Sequence, residues 1–337
     1  MYTDHTYLVI GLGSMGRRRS RCLKSLGAKK IHGFDLRADR IEQAAAMGVT
    51  PIEQPAEFLK ENQDVRVFIC VPPDKHQEYM DLCLETSSHF FVEAGIEDEG
   101  HQRVIEKLTS DTSVKGVPSC TLLFHPAIQK ISEIVKEGQL GKISNVLYHS
   151  GQYLPDWHPE EPVSEYYVSN PETGAAREIV PFELTWLAKV FGTPEVLAGT
   201  FGKTITIDGA EEIDDTYTGV LKLGNSLCNL TVDVVSRYAT RLLTVNGSEK
   251  QLRWNWDDDH IKVFDPKTGT WETVSYAKDA HEEGYNPNIP EQMYIDEVQN
   301  FIDYSMDKRN YPTDFKYDVE ILTSLKQFEQ SGAVTLR

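Results

Sequence analysis

Gly11, Gly13 and Gly16 stand in the pattern Gly-x-Gly-x-x-Gly, directly after the apolar run Tyr7 to Ile10 and directly before helix-compatible sequence. Each glycine meets a different steric demand of a loop that receives a pyrophosphate. The first makes the tight turn, the second lets the backbone approach the phosphates, and the third lets the helix pack on the strand. The first-turn amides of Ser14, Met15 and Gly16 then present N–H groups and the positive end of a helix dipole to the anion. Asp35 closes the next apolar run, Ile31 to Phe34, at the distance where a carboxylate accepts from a ribose diol. That acid favours NAD because it repels a 2′-phosphate. Arg37 and Arg40 are close enough in sequence to offset the repulsion, so NADP is the alternative, and Arg40 is counted with the cofactor site.

A second group of chemistry-bearing residues falls in Tyr153-Leu154-Pro155-Asp156-Trp157-His158-Pro159. Here a tyrosine, a carboxylate, an indole and an imidazole share one loop. The aromatic faces suit stacking on a sugar ring, the polar groups suit its hydroxyls, and His158 titrates near neutrality; the other reading is aromatic packing under a proline-ordered loop. Asp257-Asp258-Asp259-His260 has metal-ligand residue types, but consecutive acids cannot all point one way, so it reads as a solvated turn and no metal is expected. The Arg17-Arg18-Arg19 run with Arg21 reads equally as a solvated helix face or as help with cofactor phosphate.

These residues need a scaffold, and 337 residues exceed one comfortable core, so two domains are expected, 1–121 and 122–337. In the first, short apolar runs alternate with helical periodicity. Helices are expected at about Met15 to Leu26 and Ala38 to Met47, each closed by a glycine. Strands are expected at Val67 to Val71, His89 to Val92 and Val114 to Val117. This is the pattern of a doubly wound parallel sheet, an α/β nucleotide-binding domain. After Thr121 the pattern becomes α+β with an antiparallel or mixed sheet. A helix at Pro126 to Glu137 leads to a strand at Ile143 to Tyr153 and a helix near Arg177 to Phe191. Strands then run from Val196 to Tyr276, with two-residue hairpin turns at Gly224-Asn225 and Asn246-Gly247. Two helices close the chain, Glu291 to Asp307 and Tyr317 to Gln330.

The net charge of −18 argues against nucleic acid and against anionic membranes, which need a basic face. Five scattered cysteines with no Cys-x-x-Cys read as reduced thiols of a cytoplasmic protein. No signal peptide and no membrane-span-length apolar run is evident.

Four features together resemble the Gfo/Idh/MocA oxidoreductases (glucose–fructose oxidoreductase, inositol dehydrogenase, rhizopine catabolism). They are the glycine fingerprint, Val71-Pro72-Pro73 with His76, the segment Phe90-Phe91-Val92-Glu93, and Phe124-His125-Pro126-Ala127. The resemblance implies a Rossmann domain joined to a domain with a large open, mainly antiparallel sheet, often used for oligomerisation as a dimer or tetramer. It also implies NAD or NADP and a sugar, cyclitol or sugar-nucleotide substrate. It places Val71, Pro72 and Pro73 beside the nicotinamide half of the cofactor and counts Glu93 and His76 with the cofactor contacts, His76 reading otherwise as a simple helix-start residue. The departures are specific. Where members carry Glu-Lys-Pro, this chain has Glu93-Ala94-Gly95, and the places of the usual Asp-x-x-His fall by spacing to Ile179 and Phe182, with Thr185 at a later acid. Isoleucine and phenylalanine transfer no protons.

A replacement acid–base group is therefore needed, and His158, Glu178 and Tyr153 are the candidates. Tyr153, Asp156, Trp157, His158 and Arg177 are the candidate substrate contacts, in a loop resembling those of relatives linked to cell-surface sugar synthesis. The expected function is an NAD(P)-dependent oxidoreductase acting on a carbohydrate. The alternatives are a non-catalytic NAD(P) or sugar-binding protein, and a lyase or hydrolase that oxidises its substrate transiently.

Overall fold

A computed structural model of the chain describes residues 2–157, 161–277 and 290–333. They fall into two compact units, Met1–Thr121 with Gln292–Val319, and Leu122–Glu291 with Glu320–Arg337.

The first unit runs β1 (Thr6–Ile10), α1 (Ser14–Ser25), β2 (Lys30–Phe34), α2 (Ala38–Ala46), β3 (Thr50–Pro51), α3 (Pro55–Glu61), β4 (Val65–Ile69), α4 (His76–Glu85), β5 (His89–Val92), α5 (His101–Ser110) and β6 (Gly116–Pro118). All six strands pair in parallel, in the order β3-β2-β1-β4-β5-β6. The order reverses between β1 and β4, and ligands of such sheets bind outside the carboxyl ends of the strands at that reversal. The central strands β1, β4 and β5 are buried nearly throughout, as strands of a parallel sheet covered on both faces are, whereas β2 alternates and β3 is exposed. Leu8, Ile10, Val67, Ile69, Phe90 and Val92 form one buried cluster with Phe315. Both expected glycine stops are present, with φ of 84° at Gly27 and 77° at Gly48.

The second unit begins with α6 (Pro126–Lys136), β7 (Ile143–Gly151) and α7 (Ala176–Phe191). Seven strands follow: β8 (Pro194–Gly202), β9 (Thr216–Leu223), β10 (Ser226–Asp233), β11 (Thr240–Gly247), β12 (Gln251–Asn255), β13 (His260–Asp265) and β14 (Thr270–Ser275). With β7 they make an eight-stranded sheet in the order β14-β13-β12-β11-β7-β10-β9-β8. Every pairing is antiparallel except β7 with β10. Along β10, Cys228, Leu230 and Val232 are buried while Leu227 and Asn229 are exposed, the alternation of a sheet covered on one face. The turn at Gly224-Asn225 lies where expected. The second hairpin differs. β11 continues through Asn246-Gly247, and the turn is made by the three residues that follow. Gly247 serves close approach instead: a Cβ there would lie 2.0 Å from the Leu140 carbonyl oxygen. α8 (Glu291–Ser305) and α9 (Phe315–Gln330) complete the described chain. Among the described residues no helix is long and apolar enough to cross a membrane.

Candidate functional site

Gly11 has a φ of 89°, and a Cβ there would lie 2.5 Å from the Cys70 carbonyl oxygen; one on Gly16 would lie 1.8 Å from the Gly11 carbonyl oxygen. The fold itself demands glycine at both places. Gly13 is different. Its φ of −66° suits any residue, and a Cβ would meet only Arg40 Nη1, at an ordinary 3.5 Å. The protein's own packing thus gives no reason for glycine at 13, whereas a pyrophosphate lying against the backbone does. α1 starts just beyond, with no side-chain cap and no acid in its first turn, so its amides suit an external anion.

Asp35 fastens this loop to the end of β2. Its Oδ2 accepts from the Leu12 amide at 2.7 Å and its Oδ1 from the Arg37 amide at 2.9 Å. The Arg37 guanidinium is engaged by Asp39 at 2.7 Å. Arg40 lies beside Gly13, with Nη1 4.0 Å from Asp35 Oδ2.

Val71-Pro72-Pro73 follows β4, and His76 opens α4. The His76 ring is buried, with Nε2 2.9 Å from the Val71 carbonyl oxygen. Burial pulls its pKa down to about 4, so it is neutral at pH 7 and its N–H donates to that carbonyl. His76 therefore braces the turn after β4. Glu93 directly follows β5, and its carboxylate is gripped by Arg19. Arg19 Nε donates to Glu93 Oε1 at 2.6 Å and Nη2 to Oε2 at 3.0 Å, while Nη1 lies 2.8 Å from Glu297 Oε2. Glu297 also accepts from the Cys120 amide at 2.6 Å and from the hydroxyls of Thr121 at 2.6 Å, Ser119 at 3.1 Å and Tyr311 at 3.1 Å. The basic run is thus neither a solvated face nor a phosphate patch as a whole. Arg19 and Arg18 are buried, Arg18 lies over the Tyr294 ring, and Arg17 donates to the Leu12 carbonyl at 3.1 Å.

In the second unit the loop after β7 is tied to the loop after β10, since the Gln152 amide donates to the Asp233 carbonyl at 3.2 Å and the Leu154 amide to the Val234 carbonyl at 3.0 Å. Tyr153 lies under the Arg237 guanidinium, 3.7 Å from ring centroid to Cζ. Asp156 is exposed and Trp157 half-buried. His158 lies outside the described residues.

On α7, Arg177 Nε donates to Glu329 Oε1 at 2.5 Å and its Nη1 to the Glu172 carbonyl. The guanidinium anchors the start of α7. Glu178 accepts from the Tyr167 hydroxyl at 2.8 Å. It shares a half-buried stripe with Phe182 and Thr185, the i, i+4, i+7 face of the helix. α7 is locked by Glu183, which is fully buried and accepts from Tyr148 at 2.6 Å, Ser150 at 2.8 Å, Trp186 at 2.9 Å and Arg241 at 2.8 Å. Sequence reasoning missed Glu183 and also the pair His149–Asp233, at 2.7 Å. No local pattern marks either. At the expected solvated turn, His260 Nδ1 lies 2.9 Å from Asp259, and among the described residues no three metal-ligating groups converge.

Two buried histidines set a pH dependence. His125 caps α6, its Nδ1 accepting from the Ala127 amide at 3.2 Å, and burial, with the nearby Arg241 charge, pulls its pKa down to about 3. For His76 and His125 the folded pKa lies below the unfolded value of about 6.5. The unfolded chain therefore binds more protons in acid, and this stability is complete above about pH 6.5 and lost as pH falls toward the folded values. Thermal melting should shift downward between about pH 6.5 and about pH 4, and His125→Asn should flatten that shift. A parent curve that stays flat over this window would count against the buried neutral rings.

The comparisons with known proteins agree with this layout. Residues 6–86 match the NAD binding domain of 6-phosphogluconate dehydrogenase, and residues 128–253 match the GFO/IDH/MocA C-terminal domain. No curated protein matches the sequence. Among solved structures, an oxidoreductase domain protein from Kribbella flavida is 19% identical, with 98% of this chain and 97% of that chain covered and a TM-score of 0.82. Levoglucosan dehydrogenase, solved with NADH and levoglucosan, is 17% identical over 97% of this chain and 96% of that chain, with a TM-score of 0.81. The UDP-N-acetylglucosamine 3-dehydrogenase GnnA from Acidithiobacillus ferrooxidans is 16% identical over 97% of each chain, with a TM-score of 0.76. At these identities the likeness is one of fold.

Proposed function

We propose that this chain, whose second unit matches the GFO/IDH/MocA C-terminal domain over residues 128–253, is a Gfo/Idh/MocA-type NAD-dependent dehydrogenase acting on a CH–OH carbon of a sugar, cyclitol or sugar nucleotide, in the cytoplasm and in cell-surface carbohydrate synthesis. The observation that carries the reading is Gly13, a fingerprint glycine that the packing of the protein does not itself require. Bound NAD supplies the hydride acceptor. The chain supplies the rest. Gly13 and the α1 amides hold the pyrophosphate, Asp35 accepts from the ribose, and the Val71-Pro72 turn, braced by His76, forms the nicotinamide platform with Glu93. Asp35 supports NAD over NADP, because a 2′-phosphate would meet its charge.

Proton transfer falls to Glu178, His158 or Tyr153. Glu178 is favoured among the described residues. It is a carboxylate in the first turn of α7, held by the Tyr167 hydroxyl, on the same stripe as Phe182. Glu178→Gln should lower turnover roughly a hundredfold or more, the usual scale for a lost general acid or base, with NAD affinity unchanged. Near-normal turnover would move the role to His158 or Tyr153, which His158→Ala and Tyr153→Phe then separate.

The test of the function is NADH formation from NAD with a panel of sugars, cyclitols and sugar nucleotides. NAD binding without NADH from any of them would favour a non-catalytic binding protein, the reading that Ala94, Ile179 and Phe182 support. Assembly into a dimer or tetramer through the second unit's sheet belongs to the same proposal. It is supported by Leu242, Leu147 and Leu227, which are 44%, 44% and 51% exposed on the adjacent strands β11, β7 and β10.

A further inference from the structure

Arg237 follows β10 in a turn that Asp233 organises. The Asp233 carboxylate accepts from the Val235 amide at 3.0 Å, the Ser236 amide at 2.8 Å and the Ser236 hydroxyl at 3.1 Å, and His149 lies on its Oδ2 at 2.7 Å. Four groups thus occupy this carboxylate, which is 7% exposed. The turn it fixes presents Arg237 with its guanidinium laid on the Tyr153 ring. Arg177 and Arg241 of the same unit are each paired with a carboxylate, Glu329 and Glu183. Arg237 has no such partner among the described residues, and its side of the turn is exposed. The neighbouring Tyr238 ring is 69% exposed, with Asp257 at its hydroxyl.

A stacked guanidinium keeps its N–H edge free while its face is covered, so it is oriented before any ligand arrives, and that edge matches the geometry of phosphate and carboxylate oxygens. The chain as a whole carries −18 and repels anions, which gives a fixed local cation beside the candidate substrate loop a specific use. We infer that Arg237, laid on Tyr153, binds an oxyanion carried by the carbohydrate substrate: a phosphate group, as in a sugar nucleotide, or a carboxylate, as in a uronic acid. The inference rests on the carbohydrate reading above and narrows its substrate class.

The test is direct binding, by calorimetry on the full chain with NAD present, of UDP-N-acetylglucosamine, glucuronate and glucose. At least one anionic probe should bind tenfold or more tightly than glucose, and the two anionic arms distinguish phosphate from carboxylate. Arg237→Gln should abolish that preference and leave NAD affinity unchanged, since charge-assisted hydrogen bonds are lost and no buried group is disturbed. Arg237→Lys should retain only part of it. Equal binding of all three probes, no binding of either anion, or a preference that survives Arg237→Gln would overturn the inference. NADH formation in the same samples reports separately on the dehydrogenase reading: an Arg237-dependent anion preference without NADH would remove that reading and leave the anion site standing.

Discussion

A Gly13→Val variant should fold like the parent and lose NAD binding. The three fingerprint glycines separate into two kinds. Valine at 16 would drive a side chain into the Gly11 carbonyl, at 1.8 Å from the first atom, so that variant should unfold the loop itself. At 13 the backbone is extended and the nearest group is the mobile end of Arg40, 3.5 Å away. The added methyls then occupy only the space above the loop, where the backbone would otherwise approach the pyrophosphate. Displacing the phosphates removes several charge-assisted hydrogen bonds at roughly 1.5–3 kcal/mol each, so the loss of affinity should reach at least about a hundredfold. Calorimetric titration with NAD reads the affinity and a melting curve reads the fold. Parent-like affinity in a folded Gly13→Val protein would sink the cofactor assignment.

The largest stability effect should come from Glu297→Leu. The wild-type carboxylate is fully buried and meets Arg19, the Cys120 amide and three hydroxyls. Leucine leaves all of these without their acceptor and strips Arg19 of one of its two carboxylates. Breaking a buried pair from one side costs about 3–5 kcal/mol. For a unit of this size that is roughly 10 °C of melting temperature. Pairing the change with Arg19→Met should recover part of the loss, because the second substitution removes the cation left short of a partner. Calorimetric melting of the two single variants and the double variant measures this coupling. Strict additivity would show that Arg19 and Glu297 act independently.

Most elements of the first unit, the glycine loop and Asp35 were legible in the sequence, because each is a local signal, although β4 lies two residues earlier than expected and the two-residue β3 carries no such signal. An apolar run, a helical period, a glycine stop or a fixed spacing is complete within some twenty residues. The hairpin at Gly224-Asn225 was legible for the same reason. The one at Asn246-Gly247 was not, since its glycine answers the approach of Leu140, a demand from outside the segment. The sequence by itself therefore determined the two fold classes and the glycine loop. Only the tertiary structure decided which charges are partners. Arg19 reads as one basic residue in a run until Glu93, 74 positions away, and Glu297 close on it. Arg177 reads as a candidate substrate contact, and only the fold shows that Glu329, 152 positions away, engages it. Arg237 gains its meaning only when folding lays it on Tyr153. The physical reason is common to all three. Backbone preference is set by neighbours along the chain, whereas a side-chain charge is set by whatever the fold brings within hydrogen-bonding distance.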